Sequence, residues 1–91
     1  MNNHLTNVDV MILFNKAIEE QNAGNLDNAL QIYEKIIKIK TDYCEAVHNK
    51  ACVLTLKNKL TDALEFFKVA LNLERVSNRK NFKRKGENLV E

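Results

Sequence analysis

Proline and tryptophan are absent from this chain, and glycine occurs only twice in 91 residues. A chain so poor in backbone breakers favours long helices. No apolar run approaches the ~20 residues that a membrane-crossing helix needs. The nearest candidate, Val10-Met11-Ile12-Leu13-Phe14, is five residues long, follows Asp9 and has no basic stretch before it. That argues against a secretory signal. Groupings for catalysis are also missing. His4 lies in the polar start, which leaves His48 as the only well-placed histidine, and no Gly-rich phosphate loop or nucleophile elbow occurs. The expectation is a non-enzymatic protein without cofactor or metal, located in the cytoplasm with the nucleus as alternative.

What is present fits one small helical domain. Hydrophobic residues make up 45% of the chain and charged residues 29%. Such a composition supports a packed core under an ordinary hydrophilic surface. The charge is unevenly placed. Residues 1–74 carry eight Lys/Arg and ten Asp/Glu, a net of −2, and residues 75–91 carry six and two, a net of +4. The basic character belongs to the C-terminal segment.

The chain also matches itself at an offset of 34 residues. Asn15-Lys16-Ala17 falls on Asn49-Lys50-Ala51, Leu26 on Leu60, and Ala29-Leu30 on Ala63-Leu64. Elsewhere size and polarity persist, as in Ile32 and Phe66, Tyr33 and Phe67, or Ile37 and Leu71. A fixed period of this length marks units that stack on neighbours and share a core.

Local signals divide each unit into two helices. Residues 1–6 read as a frayed start. Thr6-x-x-Asp9 resembles a capping box and opens helix A1 over 7–22, with Val10, Leu13, Phe14, Ala17 and Ile18 at helical spacing. Ala23-Gly24-Asn25 ends it, because Gly and Asn accept the left-handed conformation. Asp27 caps helix B1, whose apolar face is Ala29, Ile32, Tyr33, Ile36, Ile37 and Ile39. Asp42-x-x-Glu45 starts helix A2, with Ala46, Val47, Ala51, Val53 and Leu54, and Asn58 ends it. Thr61 or Asp62 starts helix B2, with Ala63, Leu64, Phe66, Phe67, Ala70, Leu71 and Leu73. Ser77 caps a fifth helix with the stripe Phe82, Gly86, Leu89 and Val90, weighed against a disordered tail because Gly86 costs helix stability by ~1 kcal/mol. The expected organisation is residues 1–6, a first unit over 7–43, a second over 44–77, and a basic capping helix or tail over 78–91.

This pattern resembles the tetratricopeptide repeat. The resemblance rests on Ala17 and Ala51, Gly24 and Asn58, Ala29 and Ala63, and the aromatic pair Tyr33 and Phe67, and it covers residues 10–77. Thr41 and Arg75 stand where the family places a proline, Lys16 and Lys50 where it places a leucine, and Glu20 where it places an aromatic. The resemblance implies an all-α, right-handed superhelical stack of antiparallel helix pairs, here two repeats and a fifth helix. The small alanines let helix backbones approach, and the aromatics fill the space between units.

In that family the A helices line a concave groove that holds partner peptides. Carried onto this chain, the groove takes Met11, Phe14, Asn15, Ile18, Gln21 and Asn22 from the first unit. The second unit adds Glu45, His48, Asn49, Cys52, Thr55 and Leu56, and the terminal segment adds Arg79, Phe82 and Lys83. The expected groove is apolar at one side and basic at the other, suited to a peptide with apolar anchors and an acidic end. Some members clamp acidic C-termini with Lys, Asn, Asn, Lys and Arg. Asn49, Arg79 and Lys83 match three of these, while Phe14 and Ile18 replace the first-unit pair. The expected function is an adaptor or scaffold that binds a protein or peptide, with no membrane partner.

Three other readings are weighed against this one. The chain self-associates as a structural module, which would lengthen a core of only two units. The run Arg79-Lys80-Asn81-Phe82-Lys83-Arg84-Lys85 binds nucleic acid, against which stands a solvated capping face. Cys44, His48 and Cys52 share a metal, but Cys44 and Cys52 are ~12 Å apart on one helix, too far for one ion or an intrachain disulfide. Small half-buried thiols in a reducing compartment are the plainer reading.

Overall fold

A computed structural model describes the backbone of residues 7–90 and the side chains of residues 7–77. Four helices occur in it: α1 (Asn7–Asn22), α2 (Leu26–Ile39), α3 (Cys44–Leu56) and α4 (Leu60–Val90). There is no strand among the described residues. No helix there is long and apolar enough to cross a membrane. The expected frayed start, with Thr6 in its capping box, lies outside the described residues.

The two expected turns carry the repeat most plainly. Gly24 has φ +86 and Asn58 has φ +65. At the first turn the Asn25 N–H donates to the Glu20 carbonyl at 2.8 Å and the Gly24 N–H to that of Gln21 at 3.0 Å. At the second, Lys59 donates to Leu54 at 2.8 Å and Asn58 to Thr55 at 2.9 Å. Both are Schellman closures, in which a left-handed residue lets two N–H groups satisfy the last helical carbonyls. They sit one period apart, so the offset in the sequence is an offset in backbone conformation. The short connections and the close packing of α1 on α2 and of α3 on α4 make each pair an antiparallel hairpin.

Helix starts depart from expectation by one or two residues. Asn25, not Asp27, is the N-cap of α2, and its side chain donates to Glu20 Oε1 at 2.9 Å instead of capping. Tyr43 stands at the N-cap of α3 in place of Asp42. α4 begins at Leu60, before Thr61.

The larger correction concerns the C-terminal segment. Ser77 does not open a fifth helix; it lies inside α4, which runs unbroken over 31 residues. One period earlier α2 stops at Ile39, and Lys40 is extended at φ −131, ψ 96. Neither residues 40–43, Lys-Thr-Asp-Tyr, nor residues 74–77, Glu-Arg-Val-Ser, contain glycine or proline, and both stretches mix good and poor helix formers, so local propensity does not separate the two ends.

The core is built around small residues. Val10 and Ala17 of α1, Ala29, Tyr33 and Ile36 of α2, and Ala46 and Val53 of α3 form one buried cluster. Val47, Ala51 and Leu54 lie on a second stripe of α3 and are buried, as are Ala63 and Ala70 of α4. α3 thus serves two contacts, with α2 on one side and α4 on the other. Consecutive helices carry the extensive packing. Along α4 the expected apolar face is only partly covered. Leu64 and Leu71 are exposed, while Ala63 and Ala70 are buried.

Candidate functional site: an aromatic groove between α1, α3 and α4

Tyr33 organises the approach to the site. Its ring is fully buried, and its hydroxyl donates to Gln21 Oε1 at 2.9 Å. Asn49 Nδ2 donates to the same hydroxyl at 3.2 Å. One chain of hydrogen bonds therefore ties α3 to α2 and α2 to α1. It occupies two amides that the sequence places in the groove, Gln21 and Asn49. Burial pushes the Tyr33 phenol above its ordinary pKa, and the hydrogen bond from Asn49 only partly offsets that.

Aromatic rings continue from this anchor. Phe14 meets Tyr33 edge-to-face at 5.9 Å between centroids, and Tyr43 at 5.7 Å with an interplanar angle of 90°. His48 meets Phe67 in the same manner at 5.5 Å. Such contacts hold each ring in one orientation. Phe14, Tyr43, His48 and Phe67 border an open groove of about 890 Å³. Its apolar lining includes Phe14, Tyr43, Phe67, Leu71 and Leu73, with His48 and Asn49 beside them. Lys40, Asp42, Glu45 and Glu74 supply its charges. Three carboxylates against one ammonium make this described lining acidic.

Of the residues singled out by sequence, Phe14, Glu45, His48 and Asn49 come together here. Met11, Asn15, Ile18 and Cys52 lie outside the lining, with Met11 and Asn15 exposed and the other two half-buried. Arg79, Phe82 and Lys83 have side chains outside the described residues. Their backbone continues α4, so no separate third A helix carries them. Sequence reasoning did not select Tyr43, Phe67, Leu71 or Glu74, because it drew the groove from A helices alone. The aromatic character of Tyr43 and Phe67 was the available signal.

Burial favours the neutral form of both thiols. Cys44 Sγ donates to the Ala70 carbonyl at 3.3 Å. Burial pushes its pKa up, with the nearby Glu74 and Glu45 charges adding to the shift. Burial does the same for Cys52, whose sulfur lies 3.9 Å from His48 Nδ1. A thiol held protonated is a poor nucleophile and a poor ligand. Among the described residues no group of three or more His, Cys, Asp or Glu is placed to hold a metal ion.

Protein-family models, curated proteins and solved structures yield no match to this chain.

Proposed function

We propose that the chain is a short stack of tetratricopeptide-type helix pairs that acts as an adaptor, holding a peptide of a partner protein in the groove. The recurrence of the Schellman turn at Gly24 and Asn58 and the packing of consecutive helices support the stacked reading. The observation that carries the functional reading is the groove itself. Phe14, Tyr43, His48 and Phe67 present aromatic edges around an open volume of about 890 Å³, within the range of ligand-binding clefts. The groove thiol of Cys44 donates a hydrogen bond to the Ala70 carbonyl, and burial pushes its pKa up.

The charges refine the partner. The acidic end expected from Arg79 and Lys83 has no counterpart in the described lining, where Asp42, Glu45 and Glu74 face Lys40. An apolar or aromatic anchor flanked by a cationic residue complements that set. Screening a peptide display library against the full chain tests this. Enriched peptides should carry an apolar anchor beside Lys or Arg. Glu74→Arg should weaken them several-fold, with an ion pair at a solvated rim contributing up to ~1 kcal/mol. His48→Ala should weaken them without lowering helicity, because His48 is exposed. Enrichment of peptides indifferent to both substitutions would remove the groove from consideration.

A further inference from the structure

A second surface of α4 is apolar, exposed and charged in a specific way. Leu60, Leu64 and Leu71 are 59%, 54% and 58% exposed, and they share one stripe of the helix. Lys68 and Arg75 flank that stripe at the same helical spacing. The molecule contains its own precedent for such a ridge. One period earlier, Leu26, Leu30 and Ile37 hold the same places on α2. There they are half-buried and packed on the core, because α3 lies against α2.

Charge decides what seats on each ridge. α3 is held to α2 by Lys50, whose Nζ lies 3.5 Å from Glu34 Oε2, and by Lys57 paired with Asp27. One period on, Glu34 becomes Lys68 and Asp27 becomes Thr61. The apolar ridge recurs on the second helix, while one carboxylate beside it is replaced by an ammonium and the other by a neutral hydroxyl. A second copy of this chain is a poor occupant. Its α1 would bring Lys16, the counterpart of Lys50, against Lys68, and Asn15 would meet Phe67 where Asn49 meets the Tyr33 hydroxyl.

We propose that the Leu60–Leu64–Lys68–Leu71 ridge docks an acidic amphipathic helix of another protein, laid on α4 as α3 lies on α2. That helix presents small or β-branched residues to the leucines, as α3 presents Ala46 and Val53 to its core. It carries a carboxylate where α3 carries Lys50. The ridge is distinct from the groove and meets it only at Leu71, so this inference does not depend on the groove's occupant.

The test uses two stapled peptides of the α3 sequence, residues 44–56 with both cysteines as serine: one with Lys50 retained, one with Lys50→Glu. Stapling matters because a free helix of this length is marginal in water. Fluorescence anisotropy against the full chain should show the Glu peptide binding about fivefold or more tightly, the size expected when a surface pair changes from like to opposite charge. Lys68→Glu should reverse the preference, and Leu64→Asp should abolish binding of both peptides. Both positions are exposed, and circular dichroism of each variant checks that helicity is retained. His48→Ala should leave the affinities unchanged, which separates the ridge from the groove. Equal affinities, no binding of either peptide, or loss of binding on His48→Ala would overturn the proposal. So would sedimentation showing a dimer that Leu64→Asp dissolves, since a second copy would then occupy the ridge.

Discussion

Replacing Tyr33 with phenylalanine removes one oxygen from the centre of the fold and nothing else. The ring stays, so no cavity follows and the apolar burial of the side chain is retained. What is lost is the hydroxyl that receives Asn49 Nδ2 at 3.2 Å and donates to Gln21 Oε1 at 2.9 Å. A neutral hydrogen bond contributes ~0.5–1.5 kcal/mol net, so two give ~1–3 kcal/mol. Asn49 and Gln21 are only half-buried, so water takes up part of their released capacity. The expected cost is therefore near the lower end, ~1–1.5 kcal/mol. For a domain of this size that lowers Tm by about 5–12 °C. Chemical denaturation with an unchanged m-value would read it directly. A double-mutant cycle with Asn49→Ala should return a coupling of ~0.5–1 kcal/mol, because the two side chains share one bond. If Tyr33→Phe melts with the wild type and the coupling vanishes, the hydroxyl is a bystander and the three-helix tie is wrong.

Two further outcomes follow from the turns and the surface charges. Gly24→Ala should destabilise by ~1–2 kcal/mol, because φ +86 is hostile to a Cβ although nothing lies within 4 Å of the added atom. Gly24→Asn, copying the residue at the equivalent turn, should cost less than half of that; identical melting of the two variants would refute a purely backbone origin. The Asp27 carboxyl is held below its usual pKa by its hydrogen bond from Lys57 and by that ammonium's charge. A depressed folded-state pKa adds stability above the unfolded value of about 3.9, and this is lost as pH falls through the folded value. The stability gap between wild type and Lys57→Met should therefore be full at neutral pH and close in acid below about pH 4. A gap that persists to pH 2 would show that Lys57 acts through packing alone.

How much was legible in the sequence varied with the distance over which each feature is determined. Helix A1 over 7–22 and the left-handed residues Gly24 and Asn58 were readable because spacing and backbone sterics act within one turn. The starts of α2, α3 and α4 were misplaced by one or two residues. Asn25 gives its amide to Glu20 instead of capping, and Asp42 yields its place to Tyr43. The unbroken α4 was missed because Ser77 is a good cap in isolation. A cap starts a helix only where the preceding one has ended, and nothing at residues 74–77 ends it. Within the site, Phe14, Glu45, His48 and Asn49 were legible as one face of two A helices. Tyr43, Phe67 and Glu74 were not, because they come from a connection and from the facing B helix.

The 34-residue period, the helical class, the small buried alanines and the two turn residues were determined by the sequence alone, since each depends on local sterics or on apolar spacing. The tertiary structure decided the rest. It assigned Asn49 to a bond with Tyr33 and exposed the leucines of α4. It also set Lys50 beside Glu34 and left Lys68 exposed. These outcomes depend on which helix lies beside which, and a repeated pattern does not state its own neighbours.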